Sequence, residues 1–224
     1  MTSCKILFLC LFFVFFRVWA NNAATLQAEE DIFRYPLTPE SMIAFNTTCV
    51  NLAEKSVIKG NFTQEKYLSR FKRSLDSSGN FLIAAKEGMV WETLRPFPST
   101  MIMGKDFIMQ IRPDGRKSVL GAQGNETFTQ MADVIGSVFS GQINKLLENF
   151  EVYFTGNVSD WNMGLLPRDR VFASFVTKIT MSGDSAIRSI RLFEPNDDII
   201  TYTLLNPGYP AGLNDYEKAY FSIP

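Results

Sequence analysis

The side chains that most often do chemistry are scarce in this chain. It has no histidine, which removes Ser-His-Asp and Cys-His catalysis and the commonest metal ligand together. Two acidic clusters, Glu29-Glu30-Asp31 and Asp197-Asp198, are the places where paired carboxylates invite acid–base work or a cation. The first sits in a polar N-terminal stretch and the second reads as a turn before a strand, so solvated surface is the expectation for both. Ser182-Gly183 lacks the flanking pattern of a nucleophile elbow. Cys49 lies on an apolar stripe, the surroundings of a small buried side chain rather than a reactive thiol. An enzyme is not expected, and neither is a cofactor or a metal.

The N-terminus addresses the chain to a compartment. Lys5, the apolar run Ile6 to Phe16 and the small-x-small site Val18-Trp19-Ala20 have the order of a secretory signal, and the run is short for a membrane span. Cleavage after about Ala20 is expected, with retention as an anchor the second reading. Cys4 and Cys10 would leave with it, so Cys49 has no internal disulfide partner. Loss of Lys5 and Arg17 takes the net charge from −1 to −3. A weakly acidic chain without clustered cations in its sequence is a poor nucleic-acid ligand. Asn-x-Ser/Thr triplets start at Asn46, Asn61, Asn125 and Asn157, and in a bacterial periplasmic protein they carry no meaning.

Residues 21–37 are polar and without a clear period, and read as a leader before one domain, 38–224. Thr38 suits an N-cap with Pro39 at the first helical position. Met42, Phe45, Cys49, Leu52, Ala53 and Ser56 then recur at helical spacing, which predicts a helix over about 39–56. Strands are expected at 61–71, 80–86, 88–94, 99–104, 106–112 and 117–121, with turns at Asp76-Ser77-Ser78-Gly79, Lys86-Glu87-Gly88, Gly104-Lys105-Asp106 and Pro113-Asp114-Gly115. Phe128, Met131, Val134, Ile135, Val138 and Phe139 return to helical spacing, so 126–148 reads as two short helices broken near Ser140-Gly141. Strands resume at 150–155, 170–181, 186–194 and 198–205, with a last one near 219–223.

Several strands are apolar at adjacent positions, most clearly Met101-Ile102-Met103 and Phe107-Ile108-Met109. A sheet with one wet face alternates strictly, so both faces of these strands must be covered. A mainly β protein with some helix, its antiparallel sheet strongly curved around helices, satisfies that pattern. Nine methionines and twenty phenylalanines, some in the N-terminal run, furnish an adaptable apolar interior.

Gly60-Asn61-Phe62-Thr63-Gln64, then Gly79-Asn80-Phe81, then Trp91 twelve residues after Gly79, then Pro96 and a strand pair turning at Gly104, taken in order, resemble the outer-membrane lipoprotein carrier family, LolA. The resemblance runs over residues 38 to 224. It implies an unclosed half-barrel with helices packed in and over its concave side as a lid. It also implies a non-enzymatic, monomeric periplasmic carrier that shields lipoprotein acyl chains between an inner-membrane ATP-driven exporter and an outer-membrane acceptor or the membrane itself; a carrier of another lipid or glycolipid, or an exported structural or binding protein whose apolar interior is a filled core, are the alternative readings. The lining expected from resemblance and strand parity is Phe62, Met89, Trp91, Met101, Met103, Phe107 and Met109, with Met131, Ile135 and Phe139 from the lid and Ser140-Gly141 as its hinge. One departure stands out. Many family members place an arginine latch six residues after the second strand's glycine, and this chain has Ala85 there, with Lys86 adjacent. A one-residue shift points a strand side chain to the other face.

Overall fold

The computed structural model describes residues 30–105, 107–121 and 143–222. Eleven strands form a single antiparallel sheet in the order β6-β5-β4-β3-β2-β1-β11-β10-β9-β8-β7. Two meanders make it up. Strands β1 (Val57–Leu68), β2 (Arg73–Ala84), β3 (Gly88–Arg95), β4 (Ser99–Gly104), β5 (Phe107–Ile111) and β6 (Lys117–Gly121) form one. Strands β7 (Phe150–Asn157), β8 (Asp160–Pro167), β9 (Lys178–Gly183), β10 (Ile187–Phe193) and β11 (Ile199–Gly208) form the other. They are joined by the β1–β11 ladder, which matches Phe62 with Leu204 and Gln64 with Tyr202. Strands β6 and β7 are the two ends and do not pair with each other, so the sheet is unclosed. The expected fold class, mainly β with α on an unclosed antiparallel sheet, is what the chain adopts.

Helix α1 (Pro39–Ala53) starts where Thr38 and Ser41 form a reciprocal capping box and Pro39 fills a position that needs no N–H. It is shorter than expected: Ser56 lies past its end and Ala53 is exposed. Of its buried stripe, Phe45, Thr48, Cys49 and Leu52, the three apolar members pack into one large cluster. With it lie the inward residues of both meanders, among them Phe62, Phe81, Phe154, Trp161, Met163, Leu165 and Leu204. Helix α2 (Ile143–Asn149) adds Leu146 to the same cluster.

The other face has its own, smaller core. Val57, Leu82, Ala84, Val90, Ile102, Phe107 and Met109 pack there against Leu213, Tyr220 and Phe221. The last two flank the end of α4 (Asp215–Tyr220), whose N-cap Asn214 forms a capping box with Glu217. This corrects the strand expected near 219–223: the N-x-x-E signal at its start makes the segment a helix. Ile102 of β4 is thus covered by this core, while Met101 and Met103 on either side of it point to the other face.

Three further segments depart from the sequence reading. Asp76-Ser77-Ser78-Gly79 lies inside β2, paired with Glu65, Gln64, Thr63 and Phe62. The turn falls at Ser69–Phe71, a single 3-10 turn that Lys72 closes in the left-handed region at φ 48°. Strand β8 was not expected, although Trp161, Met163 and Leu165 alternate inward along it. Residues expected at 170–173 as strand form the one-turn helix α3 (Arg170–Ala173), whose N–H group at Phe172 is capped by Asp169.

Part of the polar N-terminal segment belongs to the fold. Glu30–Arg34 form a 3-10 helix, with Ile32 6% exposed. Tyr35 and Leu37 then bond the backbone of Phe154 and Val152, and Pro36 bridges Tyr153. That strip covers hydrogen-bonding groups that an edge strand would otherwise leave open. Asp198 is also not the solvated residue expected: it is 6% exposed and accepts from the Ser69 N–H and from Asn196. It ties the β10–β11 turn to the β1–β2 hairpin.

Candidate functional site

The helix-covered face of the sheet is not uniform. Over β7 to β9 it is solid: Phe150, Trp161 and Leu165 are fully buried under α1 and α2. The Trp161 indole donates to the Asp184 carbonyl at 2.7 Å. This half is ordinary core, in which a buried tryptophan has its polar atom satisfied.

Over β1 to β4 and β11 the same face is looser. Met89, Trp91 and Tyr202 are only half-buried there, although they pack inward with buried Phe62 and Phe81, and by pairing with Trp91 and Met89 the half-buried Met101 and buried Met103 share their face. Trp91 is the centre of an aromatic group. Its ring lies 4.2 Å from Phe62, 6.0 Å from Phe81 in a stacked arrangement, and 5.1 Å edge-on from Tyr202. Unlike Trp161, its indole N–H has no hydrogen-bond partner among the described residues. The pairing Trp91↔Met101 and Met89↔Met103 sets three methionines around it. Together these side chains form a soft, apolar, partly accessible surface, which suits a flexible hydrocarbon.

Register decides which predicted residues belong to this surface. Phe62 and Gln64 share the inward face of β1, and Met89 and Trp91 share that of β3, as period two requires. Met101 and Met103 join them. Phe107 and Met109 do not: Met109 pairs with Ile102, and both sit in the opposite core with Leu213 and Phe221. They are corrected to structural residues of that face. In their place Ile108, paired with Met103, is turned inward and half-buried. Tyr202 and Phe81 were also missed, since only the β1–β11 and β1–β2 ladders reveal their parity. Met131, Ile135, Phe139, Ser140 and Gly141 lie outside the described residues. Ala85 is exposed in the β2–β3 turn, so no latch is made from that position.

At one end the apolar surface meets charge. Lys66, on the Phe62 face of β1 and 6% exposed, bonds both carboxylate oxygens of Glu194 at 3.1 Å. Burial, with Glu194 nearby, pushes the Tyr202 phenol far above its usual range, so it stays a neutral hydroxyl. The Cys49 thiol is pushed by burial up to about 12, which leaves no thiolate for nucleophilic attack at neutral pH. Among the described residues no group of three or more His, Cys, Asp or Glu side chains could hold a metal ion.

No protein-family model matches the sequence, and no curated protein matches it. Solved structures do match. LolA superfamily proteins are among them. One, from Nitrosomonas europaea, is 9% identical over 79% of this chain and 98% of that one, with a TM-score of 0.40. A second, a domain from Vibrio parahaemolyticus named for outer membrane lipoprotein sorting, is 9% identical over 80% of this chain and 100% of that one, TM-score 0.38. A DUF1329 family protein from Desulfovibrio piger is 9% identical over 80% and 96% of the two chains, TM-score 0.43. At such identities and scores a LolA likeness assigns no side chain and no ligand.

Proposed function

We propose that this protein is a non-enzymatic periplasmic carrier that shelters the acyl chains of lipoproteins on the inward surface around Trp91. The observation that carries the reading is the contrast between two tryptophans on one sheet face. Trp161 is sealed and hydrogen-bonded, whereas Trp91 is partly accessible among methionines and aromatic rings. A surface of that kind, at the centre of a sheet rather than at its rim, is costly unless something apolar covers it. The cargo has the matching need: each CH2 kept from water is worth about 0.8 kcal/mol, so a 16-carbon chain left exposed costs on the order of 10 kcal/mol. The ordered sequence resemblance from Gly60 to Gly104 supports the same reading. It further supports receipt from an inner-membrane ATP-driven exporter and delivery to an outer-membrane acceptor. No residue of the site is asked to do bond chemistry.

Native mass spectrometry of protein purified from cells tests this. A bound acylated species, displaced in proportion by added fatty acid, is the expected result. Protein that carries no acyl species and takes up no fatty acid probe would overturn the reading. Recovery of a glycolipid or free lipid would keep the carrier and change its cargo.

A further inference from the structure

Three hairpin turns at one end of the N-terminal meander collect charge that the sequence scatters. The β1–β2 turn carries Arg70, Phe71, Lys72 and Arg73, the β3–β4 turn Leu94, Arg95 and Phe97, and the β5–β6 turn Arg112, Arg116 and Lys117. Because β1 to β6 are consecutive neighbours, all three turns emerge at the same end of the sheet. All seven cations are exposed, and the three turns contain a single carboxylate, Asp114, which is held by Arg116. Lys72, Arg73, Arg95 and Lys117 have no carboxylate partner among the described residues. On the far side of β1 the β10–β11 turn shows Asp197 to solvent, while Asp198 is turned inward onto Ser69.

Apolar side chains stand among these cations. Phe71 is 64% exposed, Phe97 48% and Leu94 47%, and the Arg70 guanidinium lies 5.8 Å from the Phe71 ring centre. The β1–β2 turn also projects. Pairing of β2 with β3 begins only at Ser78, so Arg73 to Ser77 extend past the β3–β4 turn by roughly 17 Å of strand. At the opposite end of the meander Lys86 is followed by Glu87, Lys105 stands exposed and the nearby Lys59 is paired with Glu217, but the described residues of those turns show no exposed large apolar side chain beside the cations.

We propose that this end of the sheet docks on the surface of a bilayer containing anionic phospholipids, with Phe71 entering the headgroup boundary and Arg70, Lys72 and Arg73 on the phosphates. A phenylalanine at the crest of a turn, flanked on both sides by unpaired cations, is amphiphilic in the same sense as that boundary. Charge complementarity names the occupant: the tip of the β1–β2 hairpin shows Arg70, Lys72 and Arg73 within four residues, and its carboxylates, the facing pair Glu65 and Asp76, lie further back along the strands. The inference goes beyond the carrier reading and does not need an occupied interior.

Vesicle sedimentation tests it. All strands and helices described lie after residue 29, so the polypeptide without residues 1–20 keeps them all. It is mixed with vesicles of phosphatidylcholine alone, or with about one third phosphatidylglycerol. Binding only to the anionic vesicles, weakened by high salt, is expected. Phe71→Ser and the double change Arg70→Glu/Lys72→Glu should each lower the partition by about tenfold or more. The opposite-end change Lys86→Glu/Lys105→Glu should bind as the parent, and circular dichroism checks that all remain folded. Met89→Asp, expected to weaken acyl binding, should leave sedimentation unchanged and so separates this proposal from the carrier reading. No binding to anionic vesicles, equal binding to neutral ones, or an equal loss in the opposite-end variant overturns it. An acidic protein as the true partner would show as the first of these.

Discussion

Phe62 and Trp91 meet ring to ring, 4.2 Å apart, across a strand that neither belongs to. Phe62 is on β1 and Trp91 on β3, and the β2 residue beside Phe62 is Gly79. A Cβ at Gly79 would come within 3.0 Å of the Phe62 ring and collide with the Glu92 carbonyl group. The missing side chain is what lets the two rings close over β2.

Replacing Gly79 by alanine should therefore destabilise the fold by about 1–3 kcal/mol, as overpacking does. It should also shift Trp91 fluorescence, because the Phe62 ring must move. Chemical denaturation and emission spectra check both, and an alanine variant of parental stability would refute the account of this contact.

Acyl binding should depend on the inward surface alone. Trp91→Asp and Met89→Asp are expected to weaken fatty acid probe binding about tenfold or more while the chain stays folded, because a carboxylate must be desolvated beside the bound hydrocarbon. Lys86→Asp should have no effect. Probe titrations read the difference.

The opposite core should behave in the reverse way. Met109→Ala and Phe107→Ala remove buried side chains and should cost about 2–5 kcal/mol each. Probe affinity of the folded fraction should be unchanged. Loss of affinity without loss of stability would return these residues to the lining.

Alkaline pH offers a fourth test. With the Cys49 thiol raised to about 12 in the folded protein against 9.0 ordinarily, the unfolded chain loses this proton first. The stability linked to the neutral buried thiol is complete below pH 9 and declines between pH 9 and 12, by at most about 1.4 kcal/mol per unit. Denaturation at pH 8 and pH 10 should show a drop in the parent that is smaller in Cys49→Ala. Below pH 8 the thiol should also react slowly with a disulfide reagent unless denaturant is added.

Much of this molecule could be read from residue order, and the reasons for the failures are specific. Helix α1 announced itself through Thr38, Pro39 and a helical stripe, and Met89 with Trp91 followed from strand parity. Parity has no origin, however, in a run such as Phe107-Ile108-Met109. Both faces are apolar, and only the hairpin register Met109↔Ile102 assigns them. Turn-forming residues at Asp76 to Gly79 misled for a related reason: long-range pairing to Glu65 through Phe62 outweighs local turn preference. The C-terminal helix was a legible signal misread, since Asn214 and Glu217 stand at capping-box spacing. The gathering of cations was legible only in part: Arg70, Lys72 and Arg73 are neighbours in the sequence, but the turns that join them at one end are not. Arg73, Arg95 and Arg112 are remote along the chain and converge only because β1 to β6 form a meander.

The sheet's two end strands, β6 and β7, share no ladder. The distance between these margins is thus free to vary by bending alone, with every backbone bond of the eleven strands kept. A closed barrel fixes its bore by strand number and stagger; in this unclosed sheet no such count fixes the width between the margins.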